Sequence, residues 1–135
     1  MRFRYQRLRF PDGSLDEPRP FLPVTVEGPR KRANMLMLVD SGAGDTILAR
    51  QFLELLGVTF SGEKVAVGSF DYRTREADVG AVRLRFGGGR FDLVTRVLAF
   101  PGRCMPVLGQ RVFFERFFVG FNASKGIFVV DEPRP

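Results

Sequence analysis

The sequence predicts a mainly β protein that folds as one domain. Short runs of apolar or alternating residues, rich in Val, Phe and Leu, recur along the chain, and Gly and Pro separate them. The 135 residues suffice for one domain with a hydrophobic core. Apolar residues make up 44% of the chain and charged residues 27%, which is ordinary for a globular protein and argues against a disordered, collagen-like or coiled-coil chain.

Nine strands follow from these runs. They are predicted at residues 2–9, 21–27, 34–39, 63–68, 74–79, 81–86, 91–99, 118–122 and 126–130. Asp78 and Asp92 fit polar positions of alternating strands. Residues 11–14, 87–89 and 123–126 lie between strands and contain the residues typical of turns, so they predict hairpin connections.

A first helix is predicted at residues 47–56. Its apolar residues recur at i, i+4, i+7 and i+8, and they are Leu48, Phe52, Leu55 and Leu56. Asp45 or Thr46 can cap its start, and Gly57 can end it. A second, shorter helix is predicted at residues 110–117, where Val112, Phe113 and Phe117 form an apolar side that suits packing against the core.

The charge and the missing residue types restrict the function. The net charge is +6 and almost all of the cations are Arg, so a basic β domain that binds nucleic acid is one hypothesis. The arginines are scattered, however, and often alternate with apolar residues, as on the solvent face of a strand, so a nucleic-acid partner is not expected. The chain has no His, so it lacks an imidazole base and a His ligand for zinc. Acid and base chemistry is therefore left mainly to carboxylates.

No cofactor, metal site or membrane contact is expected from the sequence. No apolar run approaches the roughly 20 residues that span a bilayer, and the first ten residues alternate Arg with apolar residues, unlike a signal peptide. Cys104 is the only cysteine, which agrees with a reducing compartment, and a cytoplasmic location is expected. Cys104 is expected to be a small buried residue, because no His is present to activate it as a nucleophile.

Asp40 stands apart from the other aspartates because it directly follows a continuous apolar strand. The small residues Ser41, Gly42, Ala43 and Gly44 come next. One interpretation is a turn or cap in which the glycines serve the backbone. The other is a catalytic carboxylate. Two carboxylates held close together share a proton, so that one acts as a base and the other as an acid, and small neighbours let two such loops approach.

Two motifs resemble the retropepsin-like aspartic proteases, the family of the retroviral proteases and their cellular and bacterial relatives; a bacterial member is expected. The segment Leu38-Val39-Asp40-Ser41-Gly42-Ala43 followed by Asp45-Thr46-Ile47-Leu48 is similar to the family's active-site loop. Pro106-Val107-Leu108-Gly109 followed by Arg111-Val112-Phe113-Phe114 is similar to the strand end that leads into its C-terminal helix. The resemblance covers about residues 20–130, with residues 1–20 as an N-terminal extension and 131–135 as a tail.

The resemblance implies a closed β barrel with a flap hairpin, one or two short helices and a homodimeric active site. Asp40 would be the catalytic acid, Ser41 would support the loop across the dimer, and the backbone of Gly42 would meet the substrate. The flap would span residues 65–72. Further substrate contacts are expected from seven residues: Ala43, Gly44, Asp45, Val67, Gly68, Ser69 and Phe70.

The chain departs from the retroviral pattern at one pair of positions. Retroviral members commonly place an Asp after the Ala of the first motif and an Arg after the Gly of the second, and the two side chains pair. Here the positions hold Gly44 and Gln110. We expect Asp45 or Arg111 to take over part of this polar role.

The resemblance predicts an aspartic endopeptidase whose partner is a peptide or protein substrate. A single Asp-Ser-Gly motif is present, so a homodimer must supply the second Asp40. Residues 1–9 and 127–130 are candidates for the dimer interface. The alternative is an inactive retropepsin-like module for dimerisation or peptide binding, since a fold does not guarantee activity.

Overall fold

The computed structural model describes residues 1–68 and 73–133. These residues form ten strands and one short α-helix. The strands are β1 Arg2–Arg4, β2 Phe21–Glu27, β3 Arg32–Val39, β4 Thr46–Ala49, β5 Lys64–Gly68, β6 Thr74–Phe86, β7 Phe91–Phe100, β8 Val107–Leu108, β9 Phe118–Asn122 and β10 Ile127–Asp131, and helix α1 is Arg50–Leu55. The predicted mainly β class is thus confirmed.

Seven strands form a mixed sheet in the order β2-β3-β8-β4-β7-β6-β5. The hairpins β2–β3, β5–β6 and β6–β7 are antiparallel, whereas β3 pairs with β8 and β4 pairs with β7 in parallel. β2 also pairs with β6. The short strand β8 lies between β3 and β4, so it brings residues 106–109 to the end of β3, where Asp40 begins the next loop.

A separate three-stranded antiparallel sheet has the order β1-β10-β9. β10 is central, with Phe3 opposite Phe128 on one side and Phe121 opposite Phe128 on the other. Phe128 is buried at 1% exposure, which ties the inner face of this sheet to the main core. The N-terminal and C-terminal strands of the chain therefore pair within one molecule.

The core is made of aliphatic residues from the main sheet and a cluster of phenylalanines. Phe86 and Phe91 stack at 4.8 Å between ring centroids, and both rings meet the edge of Phe117 at about 5.5 Å. Such aromatic pairs each contribute about 0.5–1.5 kcal/mol beyond the burial of their area. Phe113 is fully buried beside them. The cluster fixes the chain that follows β8 onto the sheet.

The first predicted helix is shorter than expected. It begins at Arg50, and the preceding residues Thr46–Ala49 form strand β4 beside Val97–Phe100 of β7. The predicted cap by Asp45 or Thr46 is wrong, because Ala49 occupies the N-cap without a side-chain hydrogen bond. Alternating burial and the β-branched Thr46 and Ile47 favour the strand. Gly57 ends the helix with a φ of +83°, as predicted.

The second predicted helix is irregular. Residues Gln110–Phe114 form a helical segment that includes Val112 at φ 70° and ψ −58°, a conformation that a β-branched residue rarely adopts. The Val112 N–H donates to Glu115 Oε1 at 2.9 Å, which supports this turn. Phe113 and Phe117 are buried as predicted, but Val112 is only half-buried. No helix in the described residues has the length and apolar character needed to cross a membrane.

Other strand boundaries shift. The predicted strand 2–9 stops at Arg4, and the strands predicted at 74–79 and 81–86 are one continuous β6. Most of β4 was predicted as the start of a helix. β8 matches the strand end that the second motif implies, but alternation did not predict it because it is only two residues long. The three predicted turns are confirmed at residues 11–14, 87–89 and 123–126. Asp131, expected in the tail, is the last residue of β10.

Asp78 is not the solvent-facing strand residue that alternation predicts. It is buried at 7% exposure on β6, where it accepts a hydrogen bond from Lys64 Nζ at 2.6 Å and pairs with the guanidinium of Arg50. The hydrogen bond from Lys64 and the charges of both cations lower the pKa of Asp78 below its ordinary value of 3.8. One carboxylate therefore joins the β5–β6 hairpin to the start of α1.

Replacing this carboxylate should destabilise the fold in a pH-dependent way. We expect Asp78→Asn to unfold at a lower Tm than the wild type near pH 7, because Arg50 and Lys64 lose their shared anion. The pKa is lowered in the folded state, so the stabilisation is present above pH 3.8 and is lost as the pH falls below that value. Thermal melts of Asp78→Asn should thus converge with those of wild type at acid pH. The control Asp92→Asn, whose half-exposed carboxylate pairs with Arg83 and Arg85 at the surface, should differ less from wild type at pH 7. A pH-independent difference would contradict this assignment.

Candidate active site

The loop of residues 40–45 begins where β3 ends. The Asp40 N–H donates to the carbonyl of Leu108 at 3.0 Å, which ties the start of the loop to β8. The carboxylate of Asp40 accepts a hydrogen bond from the Gly42 N–H at 2.9 Å. The backbone carbonyl of Asp40 accepts a second one from the Ala43 N–H at 3.2 Å. The loop therefore turns tightly around Asp40, whose side chain is partly exposed.

A second segment, residues 108–111, clamps the same loop. The Gln110 side chain donates from Nε2 to the carbonyl of Ser41 at 2.6 Å, and its N–H donates to the carbonyl of Ala43 at 2.8 Å. The Arg111 N–H donates to the carbonyl of Gly44 at 3.0 Å. The Ser41 side chain is left exposed. Gly109 is required at the crossing, because a Cβ there would lie 2.3 Å from the Asp45 carbonyl oxygen.

Asp45 closes the loop through two arginines from different elements. Arg96 of β7 donates from Nε at 3.1 Å and from Nη2 at 3.4 Å, and Arg111 Nε lies 3.3 Å from the same carboxylate. Asp45 is only 9% exposed, so its carboxylate has little contact with water and is stabilised mainly by these two arginines. This geometry agrees with the expectation that Asp45 or Arg111 takes over part of the polar role missing at Gly44 and Gln110, since the two side chains pair with each other.

A cleft of about 570 Å³ opens beside Asp40. Five of the residues predicted to bind substrate line it, namely Ala43, Gly44, Asp45, Val67 and Gly68, and so does Gly42. Ser41 is not among its lining residues. Ser69 and Phe70, also predicted to bind substrate, lie outside the described residues. The structure thus brings Asp40 together with most of its predicted neighbours.

The rest of the cleft wall is largely apolar and was not predicted from the sequence. It comes from the strands around the loop and from the connection between β7 and β8, and its members include Ile47, Val65, Leu98, Phe100, Met105 and Val107. The motif of residues 106–109 pointed to Val107, but β-strand apolar residues look alike in a sequence whether they line a core or a cleft. These apolar residues come together at the cleft only because of the order of the strands in the sheet.

Arg103 is the one cation among the residues that line this cleft in the described chain. No carboxylate within residues 1–68 and 73–133 pairs with it. Two other arginines near the cleft, Arg96 and Arg111, pair with Asp45, and Arg75 lies 6.0 Å from the ring centroid of Phe100. Arg103 therefore presents a guanidinium without a carboxylate partner among the described residues, beside the apolar part of the cleft wall.

Cys104, expected to be buried, is partly exposed and lines the same cleft. Partial burial raises the pKa of its thiol, so the neutral form is favoured. A neutral thiol with no His in the chain is a poor nucleophile, which agrees with the predicted lack of a catalytic role for Cys104. No group of three Cys, Asp or Glu side chains that could hold a metal ion is seen in the part of the chain that the structure describes.

The β5–β6 hairpin forms the other wall of the cleft. Gly68 pairs with Thr74 at its open end, and Val65 and Val67 turn toward Leu98 and Ile47. The predicted flap at residues 65–72 coincides with this hairpin, although its tip at residues 69–72 lies outside the described residues. Asp78 anchors the base of the hairpin, as shown above.

The fold is similar to that of a retroviral protease. A solved EIAV protease in complex with the inhibitor HBY-793 superimposes with a TM-score of 0.50, over 73% of this chain and 88% of that chain, at 20% sequence identity. At this identity the likeness concerns the fold. No protein-family model and no curated protein matches the sequence.

Removing the Asp45 carboxylate should loosen the loop. We expect Asp45→Ala to lower the free energy of unfolding by about 1–3 kcal/mol, because charge-assisted hydrogen bonds to Arg96 and Arg111 are lost at a buried position. Urea denaturation measures this change. In a double-mutant cycle with Arg96→Gln, the two substitutions should be less than additive. Full additivity, or no loss of stability in Asp45→Ala, would contradict the role of this pair.

Proposed function

We propose that the protein is a retropepsin-like aspartic endopeptidase that acts as a homodimer, with one Asp40 from each chain. The observation that carries the proposal is the position of Asp40. It lies on a clamped loop, among small residues, at the wall of an apolar cleft that a β hairpin borders. The likeness of the fold to EIAV protease supports the same class.

A pair of Asp40 carboxylates supplies both an acid and a base. Two carboxylates at short range share one proton, because both cannot be ionised together. The ionised one accepts a proton from water as the water oxygen attacks the peptide carbonyl, and the protonated one donates to the carbonyl oxygen. In the resulting gem-diol, one hydroxyl gives its proton to the carboxylate that is now ionised, while the other carboxyl donates its proton to the nitrogen. The C–N bond breaks, the amine leaves, and the pair again holds one proton. The chemistry needs no metal or cofactor.

The surrounding residues position the substrate in this proposal. Ser41, whose side chain is exposed, supports the facing loop, and Gly42 brings its backbone to the substrate. An extended peptide lies between the loop and the β5–β6 hairpin, which acts as the flap and excludes water. The whole chain serves as one domain, and the extra pairing of β2 with β6 supports a closed barrel.

Asp40→Asn should abolish peptide cleavage while leaving the fold intact. We expect at least a 100-fold loss of rate, as for removal of a general acid or base. Cleavage of a diverse peptide pool, followed by mass spectrometry from acidic to neutral pH, measures the activity. The control is Asp92→Asn, which removes an exposed carboxylate far from the motif and should cleave like wild type.

The dependence of activity on protein concentration tests whether the active site is dimeric. Activity per chain should fall on dilution, since each active site needs two chains. Cleavage that survives in Asp40→Asn would contradict the proposed chemistry. A folded dimer that binds peptides without cutting them at any pH would favour the binding module instead.

Arg103 should give the enzyme a preference for acidic residues near the scissile bond. The guanidinium is a cation on the cleft wall with no carboxylate partner among the described residues, and an exposed ion pair contributes about 0.5–1 kcal/mol. We therefore expect a peptide with Glu facing Arg103 to be cut about two to five times faster than its Gln counterpart. Scanning Glu and Gln through matched peptides measures the preference by kcat/KM.

Charge reversal tests the assignment. Arg103→Glu should reverse the preference toward Lys-containing peptides, whereas Arg32→Glu, at the far end of β3, should leave it unchanged. An unaltered preference in Arg103→Glu would show that another group reads the acidic residue.

A further inference from the structure

A groove of about 1150 Å³ lies apart from the cleft beside Asp40, whose volume is about 570 Å³. The groove and the cleft share no lining residue among those that the structure describes. Three elements form the groove, namely β1, the β2–β3 hairpin and the turn of residues 87–89 between β6 and β7. A Cβ at Gly87 would lie 2.9 Å from Met1 Sδ, so glycine lets this turn close against β1.

The floor of the groove is apolar and adaptable. Met1, Phe3, Met35 and Leu36 line it, and each is half-buried, so part of each side chain stays open to a ligand. Methionine is unbranched and flexible, and it is common on surfaces that bind varied apolar side chains. Pockets for small molecules usually measure roughly 300–1,000 Å³. The larger volume of this groove therefore suits a segment of polypeptide better than a small metabolite.

The charge at the groove is positive. Within the described chain, no Asp or Glu lines the groove, whereas Arg32 and Arg85 do. Arg85 lies 3.5 Å from Glu27 and 3.4 Å from Asp92, so its charge is largely offset. Residues 30–32 read Arg-Lys-Arg, and all three are exposed without a carboxylate partner in the part of the chain that the structure describes. The groove therefore complements an acidic ligand.

Hydrogen-bond donors accompany this charge. Thr25 Oγ1 donates to Asn34 Oδ1 at 2.7 Å in the wall of the groove. The amide nitrogen of Asn34 has no acceptor among residues 1–68 and 73–133, so it is left to donate to a ligand. Arg32 and Asn34 are two residues apart on β3, so their side chains lie on the same face. Both donors therefore face the same part of a bound segment.

The same face of β3 leads toward Asp40. Side chains alternate along a strand, so Arg32, Asn34, Leu36 and Leu38 share the more exposed face, and Asp40 follows them in this alternation. At about 3.3 Å per residue, Leu36 lies about 13 Å from Asp40 along the strand and Arg32 lies about 26 Å from it. A short peptide confined to the cleft does not reach Arg32, whereas a longer, extended one that passes Asp40 can enter the groove.

We propose that this groove docks an acidic segment of a protein substrate, outside the segment that is cut. Carboxylates of the docked segment pair with residues 30–32 and accept a hydrogen bond from Asn34, and an apolar side chain packs on Met35 and Leu36. That the segment belongs to a substrate rests on the proposed function, because Asp40 lies farther along the same strand face. Its acidic character follows from the groove itself, where residues 30–32 lack carboxylate partners in the described chain.

A peptide in which Glu and Leu alternate tests the groove. We expect a fluorescein-labelled peptide of ten such residues to bind the Asp40→Asn protein, which leaves the peptide uncut, in a fluorescence anisotropy titration. The counterpart with Gln in place of Glu should bind at least about fivefold more weakly, because the ion pairs are lost. Added salt should weaken the binding of the Glu peptide and leave that of the Gln peptide nearly unchanged.

Two substitutions at exposed positions locate the bound peptide. Arg32→Glu reverses the charge, and Asn34→Asp replaces the amide donor by a carboxylate but keeps the acceptor for Thr25. Each should weaken binding of the Glu peptide about fivefold and keep the circular dichroism spectrum of the Asp40→Asn parent. Arg103→Glu is the matched control, because it changes the cation on the cleft wall and should leave binding in the groove unaltered.

Cleavage kinetics test whether the docked segment belongs to a substrate. An extension of alternating Glu and Leu, added to either end of a peptide that the enzyme cuts, should lower KM about fivefold at one of the two ends and leave kcat unchanged. Asn34→Asp should remove this gain.

The outcomes separate the groove from the activity. Equal binding of the Glu and Gln peptides, binding that both groove substitutions leave unchanged, or binding that Arg103→Glu removes would overturn the groove assignment. An Asn34→Asp variant that turns a wild-type dimer into a monomer would assign the groove to a second copy of the chain and overturn it as well. An extension that lowers KM at neither end would overturn the role in substrate docking. Groove-dependent binding without cleavage of any peptide would uphold the acidic docking site and defeat the proposed function.

Discussion

Four hydrogen bonds between two loops hold the site in place. The backbone of Asp40 binds Leu108, the backbones of Gln110 and Arg111 bind Ala43 and Gly44, and the Gln110 side chain binds Ser41. These bonds form because the two-residue strand β8 lies between β3 and β4. This position of β8 carries residues 108–111 across the end of β3. Small residues are needed at this crossing, where any side chain larger than hydrogen at Gly109 would meet backbone.

Two buried carboxylates, those of Asp45 and Asp78, stabilise the elements around these two loops. Asp45 links the loop to β7 through Arg96 and to the following segment through Arg111, and Asp78 links the hairpin to α1. Both carboxylates have two cationic partners, as buried charges must be paired to offset their desolvation. The phenylalanine cluster around Phe113 then fixes the segment after β8. Rigid surroundings thus hold Asp40, whose side chain stays partly exposed toward the cleft.

The sequence predicts the strands with long alternation and the glycine turns well, because these signals are local. It also predicted Asp40 as the candidate catalytic acid. A turn or cap explained the local pattern as well, and the second motif at residues 106–109 favoured the catalytic interpretation. Prediction from the sequence failed where pairing with distant strands or side chains decided the local structure. Thr46–Ala49 carries a helical spacing of apolar residues but becomes a parallel strand beside β7. The ion pairs of Asp45 with Arg96 and of Asp78 with Arg50 join residues far apart in the chain, and nothing in the local pattern marks them. The position of Arg103 on the cleft wall likewise follows from the tertiary structure and not from a local pattern.

The central claim is that two Asp40 residues from two chains form one site. The most direct measurement is the stoichiometry of a peptide inhibitor that carries a hydroxyl in place of the scissile amide, built on a sequence that the protein cleaves. Calorimetric titration should give one inhibitor for every two chains, and Asp40→Asn should weaken its binding. One inhibitor for each chain would contradict the account, because a single Asp40 would then suffice.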